Sequence, residues 1–143
     1  YYMLGNLYED KEKSEQAYRL AARGEFNLSS AMYYNDQPPQ MMYYSAKAIE
    51  ALGDKDEAKK RFNAFIEYAN NHMNDEMKID YFAVSLPDFL IFEGDLNKNN
   101  KVHCNLMAAL GYLGIGDTDN AQKYAKQGLE LNQCHAELRD IVK

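Results

Sequence analysis

A short phrase occurs twice in this chain and narrows what it can fold into. Leu52-Gly53-Asp54-Lys55-Asp56-Glu57-Ala58 returns as Leu113-Gly114-Ile115-Gly116-Asp117-Thr118-Asp119-Asn120-Ala121. With Gly53 laid on Gly116, Ala58 falls on Ala121 and Ala46 on Ala109, each pair 63 residues apart. A glycine that ends one helix, an aspartate that caps the next and small residues at matching places describe two helices packed closely around a tight turn. The repeated frame predicts helical hairpins as the unit of construction.

Composition points the same way. The absence of Trp, the 12 Tyr and the mere three Pro suit helices with aromatic packing better than a sheet with many turns. With 46% apolar residues among 143, the chain can bury a continuous core as one compact domain or one short solenoid. The expected class is all-α. A formal charge of −6 and a pI near 5.0 work against phosphate-backbone binding, so nucleic acid is not an expected partner. No run of about 18 apolar residues exists to span a bilayer, and membrane insertion is not expected. The chain opens at Tyr1 in what reads as mid-helix without an initiator Met, so it is expected to be a piece of a longer protein. Cys104 and Cys134 cannot make a disulfide framework; one bridge or two free thiols both fit, which leaves the compartment open with a lean to the cytoplasm.

Along the chain, Tyr1, Leu4, Gly5, Tyr8, then Ala17, Ala21 and Gly24 recur at helical spacing on two segments, predicting a hairpin whose turn falls at 10–14 and whose second helix runs to Leu28. Glu12 stands there where the later copies have glycine. Residues 26–40 form an odd connector, and Pro39 is expected in the first turn of the next helix. That helix carries Met42, Ser45, Ala46, Ile49 and Leu52 on one stripe; its successor packs through Ala58, Phe62, Phe65, Ile66 and Ala69 and ends near Asn70 and Asn71. Residues 75–96 break the pattern and are read as an irregular helical pair on either side of Pro87, ended by Glu93-Gly94-Asp95, with a strand left open for the short apolar run. The polar stretch 97–101 leads into a helix through Leu106, Ala109 and Leu113. Its partner runs from Asp117 to Leu131 with Ala121, Tyr124, Ala125, Gly128 and Leu129 inward, and 135–142 is a last amphipathic helix covering the core.

These residues resemble the tetratricopeptide repeat, a unit of about 34 residues with a bulky residue, Leu-Gly and Tyr on its first helix and Ala, aromatic, Ala on its second. Tyr1-Leu4-Gly5-Tyr8-Ala17-Ala21-Gly24, Met42-Ser45-Ala46-Ile49-Gly53-Asp54-Ala58-Phe62 and Asn105-Ala108-Ala109-Tyr112-Gly116-Asp117-Ala121-Ala125-Gly128-Leu131 carry three copies, in units at about 1–30, 39–72 and 102–135. Ala17 to Ala58 is 41 residues and Ala58 to Ala121 is 63, so the first interval holds an insertion of about seven residues and the second an irregular pair in place of a standard unit. The resemblance implies a single domain over 1–143, a right-handed α-α superhelix in the form of a short solenoid with irregular insertions. Residues 31–39, 72–79, 80–88 and His103-Cys104 also look like the C-terminal repeat region of large bacterial proteins that carry a β-rich domain of unknown function upstream.

In such a solenoid the first helices line the inner face, which would expose Tyr2, Asn6, Tyr43, Lys47 and Glu50 to a partner. Leu106, Leu110 and Leu113 take the equivalent places in the last unit, either as an apolar groove or as a face filled by residues 81–92; the filled face is preferred, because that segment has more apolar surface than a short helix buries alone. Tyr2 and Tyr43 stand where a basic residue would grip a C-terminal carboxylate, which argues against that clamp, although Asn6 fits it. His103, Cys104, Cys134 and His135 bracket one hairpin and supply the ligand types of a zinc site. They lack a short Cys-x-x-Cys or His-x-x-x-His clip, and adjacent Cys-His pairs diverge on a helix, so no metal and no cofactor are expected. Carboxylate pairs such as Asp54 with Glu57 or Asp88 with Glu93 are read as helix-start residues held by the dipole, and no catalytic residue is assigned. The functional expectation is a non-catalytic scaffold that holds another protein, a peptide or an upstream domain of its own chain. The alternative is an accessory region of a larger carbohydrate-active enzyme, with Tyr33, Tyr34 and Tyr43 as platforms for sugar rings, a reading that burial of these rings and of Tyr44 would remove.

Overall fold

The computed structural model describes residues 1–30, 37–77 and 95–142. Among them the chain is all-helical, with α1 Tyr2–Leu7, α2 Lys11–Ala21, α3 Pro39–Ala51, α4 Lys55–His72, α5 Leu96–Gly114, α6 Thr118–Leu131 and α7 Ala136–Val142. The expected irregular pair falls almost wholly on 78–94, and Tyr33, Tyr34 and the segment 81–92 likewise lie outside the described residues. Helices α1 and α2, α3 and α4, and α5 and α6 pack as hairpins; α5 also packs on α3 and α4, and α7 closes on α5 and α6. No helix among the described residues is long and apolar enough to cross a membrane.

The two copied turns are the same object to the level of individual hydrogen bonds. Gly53 N–H donates to the Glu50 carbonyl at 3.0 Å and Asp54 N–H to the Ile49 carbonyl at 3.2 Å. Gly116 N–H donates to Leu113 at 3.2 Å and Asp117 N–H to Tyr112 at 2.9 Å. This paired closure needs a left-handed residue between the helices, and Gly53 and Gly116 supply it with φ of 102° and 84°. The next residue then serves the following helix: Asp54 accepts from Glu57 N–H at 3.1 Å, and Asp117 from Asn120 N–H at 3.1 Å.

The first hairpin reaches a similar packing by another route. Gly5, Ala46 and Ala109 are buried on the first helices, and Ala17, Ala58 and Ala121 on the second, so the small-residue frame recurs in all three. With Glu12 in the glycine position, the turn contains no left-handed residue. Instead α1 stops at Leu7 and Asp10 caps α2, accepting from Glu12 N–H at 2.9 Å and Lys13 N–H at 3.1 Å. A six-residue helix is too short to persist alone. Tyr18 holds it, with its ring over Gly5 and its hydroxyl donating to Asn6 Oδ1 at 2.8 Å, while Ser14 Oγ donates to the Gly5 carbonyl at 2.8 Å.

Three boundaries differ from expectation: the first hairpin's turn falls at residues 8–10 rather than 10–14, because Asp10 caps α2 and starts it at Lys11. Helix α2 ends at Ala21 rather than at Leu28, because Phe26 and Leu28 leave the helical path to pack on the core of the neighbouring helices. The polar stretch 97–101 is inside α5, not ahead of it, and Asp95 caps that helix by accepting from Lys98 N–H at 3.0 Å. Its asparagines reach back: Asn97 Oδ1 accepts from Met77 N–H at 2.8 Å, and buried Asn100 donates to the His72 carbonyl at 2.7 Å, satisfying the end of α4.

The main core gathers Met42, Phe65, Ala69, Val102, Cys104, Met107 and Leu138, with Ala46, Ala58 and Phe62 as a second cluster beside it. Fully burying each phenylalanine contributes roughly 1.5–3 kcal/mol. Helix α4 approaches α5 closely because Gly111 and Gly114 face Phe62; a methyl at Gly111 would stand 2.7 Å from the Phe62 carbonyl oxygen. At the far end, Leu138 of α7 seats on Gly128, and Gln40 of α3 donates to Glu137 at 2.7 Å.

Candidate functional site

Four of the five inner-face residues named from sequence join through one contact run. Tyr2 stacks on Tyr44 with centroids 5.5 Å apart and planes at 24°, Tyr44 meets Tyr43 edge-on at 5.4 Å, and Tyr43 tilts against Phe62 at 5.7 Å. Lys47 pairs with Glu50 and holds its ammonium 6.0 Å from the Phe62 centroid, which places both charges at the far end of the run. Asn6 is exposed but occupied by Tyr18. Burial, reinforced by Tyr2, Tyr44 and Glu50, pushes the Tyr43 phenol up to about 12, so this ring stays neutral at any physiological pH.

Sequence reasoning missed Tyr44 as the ring that joins Tyr2 to Tyr43, and it missed the cleft on which this run borders. Between α1, α2 and the start of α3 lies an opening of about 320 Å³ lined by Tyr2, Met3, Leu20, Gln37, Met41 and Tyr44 among others. Among the described residues its lining carries no charged side chain. The fold leaves its large apolar groups in solvent: Tyr1 is 69% exposed, Met3 53% and Met41 58%. One signal was available. Tyr1 to Leu4 is an unbroken apolar run and Leu7 and Tyr8 follow, so α1 is apolar around nearly its whole circumference, and a two-helix contact can cover only part of that.

Leu106 and Leu110 are 3% and 5% exposed and belong to the main core, so neither lies open as an apolar groove. Tyr43 is held between Tyr44 and Phe62, a packing role that a sugar platform does not require.

The four zinc-type side chains go to separate surroundings. His103 Nε2 lies 2.9 Å from the Ser29 carbonyl oxygen, and Cys104 is buried with Sγ directed at Asn100 Oδ1 at 3.7 Å. Cys134 is exposed, and His135 Nδ1 stands 3.2 Å from Glu137 Oε2. Among the described residues, no group of three or more His, Cys, Asp and Glu side chains converges as metal ligands would. Burial, with the Asp75 charge adding to it, pushes the Cys104 thiol up to about 11.

Residues 102–133, the greater part of α5 with its turn and α6, match the family model of the tetratricopeptide repeat. No solved structure matches the chain. The match covers less than a quarter of the sequence, and together with the helical hairpins it makes the fold an all-α, tetratricopeptide-like solenoid whose clearest repeat is α5–α6.

Proposed function

We propose that this chain is a non-catalytic protein-interaction scaffold, and that its contact surface is the run Tyr2, Tyr43, Lys47 and Glu50, joined through Tyr44, with Asn6 at the margin and the α1–α2–α3 cleft beside it. The repeat type matched at 102–133 is a protein-binding module, which supports a protein as the partner. The observation that carries the reading is the apolar cleft bordered by Met3, Met41, Leu20 and Tyr1, all exposed, with no charged side chain among its described lining residues. Contiguous apolar surface rimmed by polar groups marks a protein contact, and methionines adapt their shape to a partner. A peptide, another folded protein or a preceding domain of the same polypeptide each fits this chemistry. The reading extends to context: the chain is a single repeat domain accompanying a β-rich domain within a larger bacterial protein, and that domain is one such partner.

A photo-crosslinking amino acid placed at Met41 in the full-length protein tests this. Adducts to one defined protein or domain are expected at Met41 and not at Lys59, which lies on the polar outer side of α4. Equal labelling at both positions would overturn it.

A further inference from the structure

Residues 25–30, between α2 and α3, lie over the α4–α5 pair as an extended strap. The strap has no helical or strand hydrogen bonding, and its side chains alternate: Phe26 and Leu28 turn toward the core while Asn27 is exposed. The Phe26 ring sits edge-on to Phe65 at 5.6 Å and under the Arg61 guanidinium at 5.1 Å. Arg61 is itself fixed, donating to Glu57 at 2.9 Å and reaching Ser45 Oγ at 3.4 Å. Since a carbonyl only accepts, His103 Nε2 carries the proton that it donates to Ser29. Among the described residues this is the one hydrogen bond between the strap's backbone and the helices.

Two alternate side-chain anchors and one main-chain bond are how an extended peptide is held in a groove, not how a chain segment is built into a sheet or helix. We propose that residues 25–30 are a displaceable self-ligand, and that the groove formed by Arg61, Phe65 and His103 accepts an extended partner peptide carrying an aromatic residue followed two positions later by an aliphatic one. The groove is separate from the α1–α2–α3 cleft, so the two readings stand or fall independently. Tethering gives the strap an effective concentration on the order of 1 mM, so a weak free peptide is masked in the unaltered protein.

The test uses a fluorescein-labelled hexapeptide, Glu-Phe-Asn-Leu-Ser-Ser, and a control with Ala for Phe and Leu. A Phe26→Ala/Leu28→Ala variant is expected to bind the hexapeptide at least about tenfold more tightly than the unaltered chain does by anisotropy, with the control silent and Arg61→Ala removing the gain. Equal binding of both peptides, or none to a variant with full helical circular dichroism, overturns the proposal. Should the variant lose its helicity, an environment-sensitive dye on Asn27→Cys in a Cys134→Ser background decides. Unlabelled hexapeptide then produces a saturable change if the strap is displaced, and a flat response up to about 5 mM rejects it.

Discussion

Glycines in this chain do two different jobs, and substitution separates them. At Gly53 the space beyond the Cα is open, so an added methyl meets no neighbour and the cost is the left-handed backbone alone. Gly53→Ala is expected to lose roughly 1–2 kcal/mol in chemical denaturation, with Gly53→Asn losing less because asparagine tolerates that region. At Gly111 the backbone is ordinary helix, but a methyl would press on the Phe62 carbonyl and the Ile66 side chain, both at 2.7 Å. Gly111→Ala should cost about 1–3 kcal/mol through overpacking, and no choice of larger residue should recover it. Asp117 offers a third residue-scale test. Hydrogen bonds from the Asn120 side chain and backbone hold its carboxyl below the usual carboxylate value. The unfolded chain therefore takes up that proton first, so the stabilisation is complete above the ordinary value of about 4 and disappears as pH falls through the folded one. Asp117→Asn should flatten that part of the acid-unfolding profile, which a pH series of denaturant midpoints would show.

At the scale of elements, α5 is the spine. It packs on α3, α4, α6 and α7, and ten of its residues from Asn100 to Gly111 are buried. Cys104 lies inside that stretch with its thiol pushed to about 11, whereas Cys134 is exposed beyond α6. A disulfide-exchange reagent at pH 8 should add once, at Cys134, with the second addition appearing only under unfolding conditions; intact-protein mass spectrometry reads both. Two rapid additions would show that α5 opens locally. The start of α5 also explains a misread boundary. Asn97 and Asn100 look like loop residues by composition, yet their side chains bond back to Met77 and His72, so their polarity serves the end of α4. Local propensity contains no trace of a partner 20 or 28 residues away.

On the scale of the whole molecule, the repeat architecture makes stability a sum of neighbouring contacts. Helix α7 covers one end of the core through Leu138, which is fully buried against Gly128. Leu138→Ala should cost about 2–5 kcal/mol. By hydrogen exchange the lost protection should fall on α5 and α6 and spare the α1–α2 hairpin, which α7 does not touch in the described contacts. Uniform loss along the chain would mean that the stack unfolds as a single unit. At the opposite end Met3 and Met41 are exposed, and the proposed partner surface lies there.

What the residues alone determined was the punctuation and the frame: Gly53-Asp54 and Gly116-Asp117 as turns with caps, Pro39 as a helix start, the small residues at Ala46, Ala58, Ala109 and Ala121, and an all-α class. Each depends on backbone geometry or on contacts within a few residues, and such preferences are written locally. Only the tertiary structure decided that α2 stops at Ala21, that Tyr44 joins Tyr2 to Tyr43, that His103 bonds to the Ser29 carbonyl, and that a cleft opens between α1, α2 and α3. In those cases the winning interaction comes from a helix distant in sequence: Phe26 leaves the helical path because Phe65 and Arg61 offer it a better-buried place than another turn of α2 would.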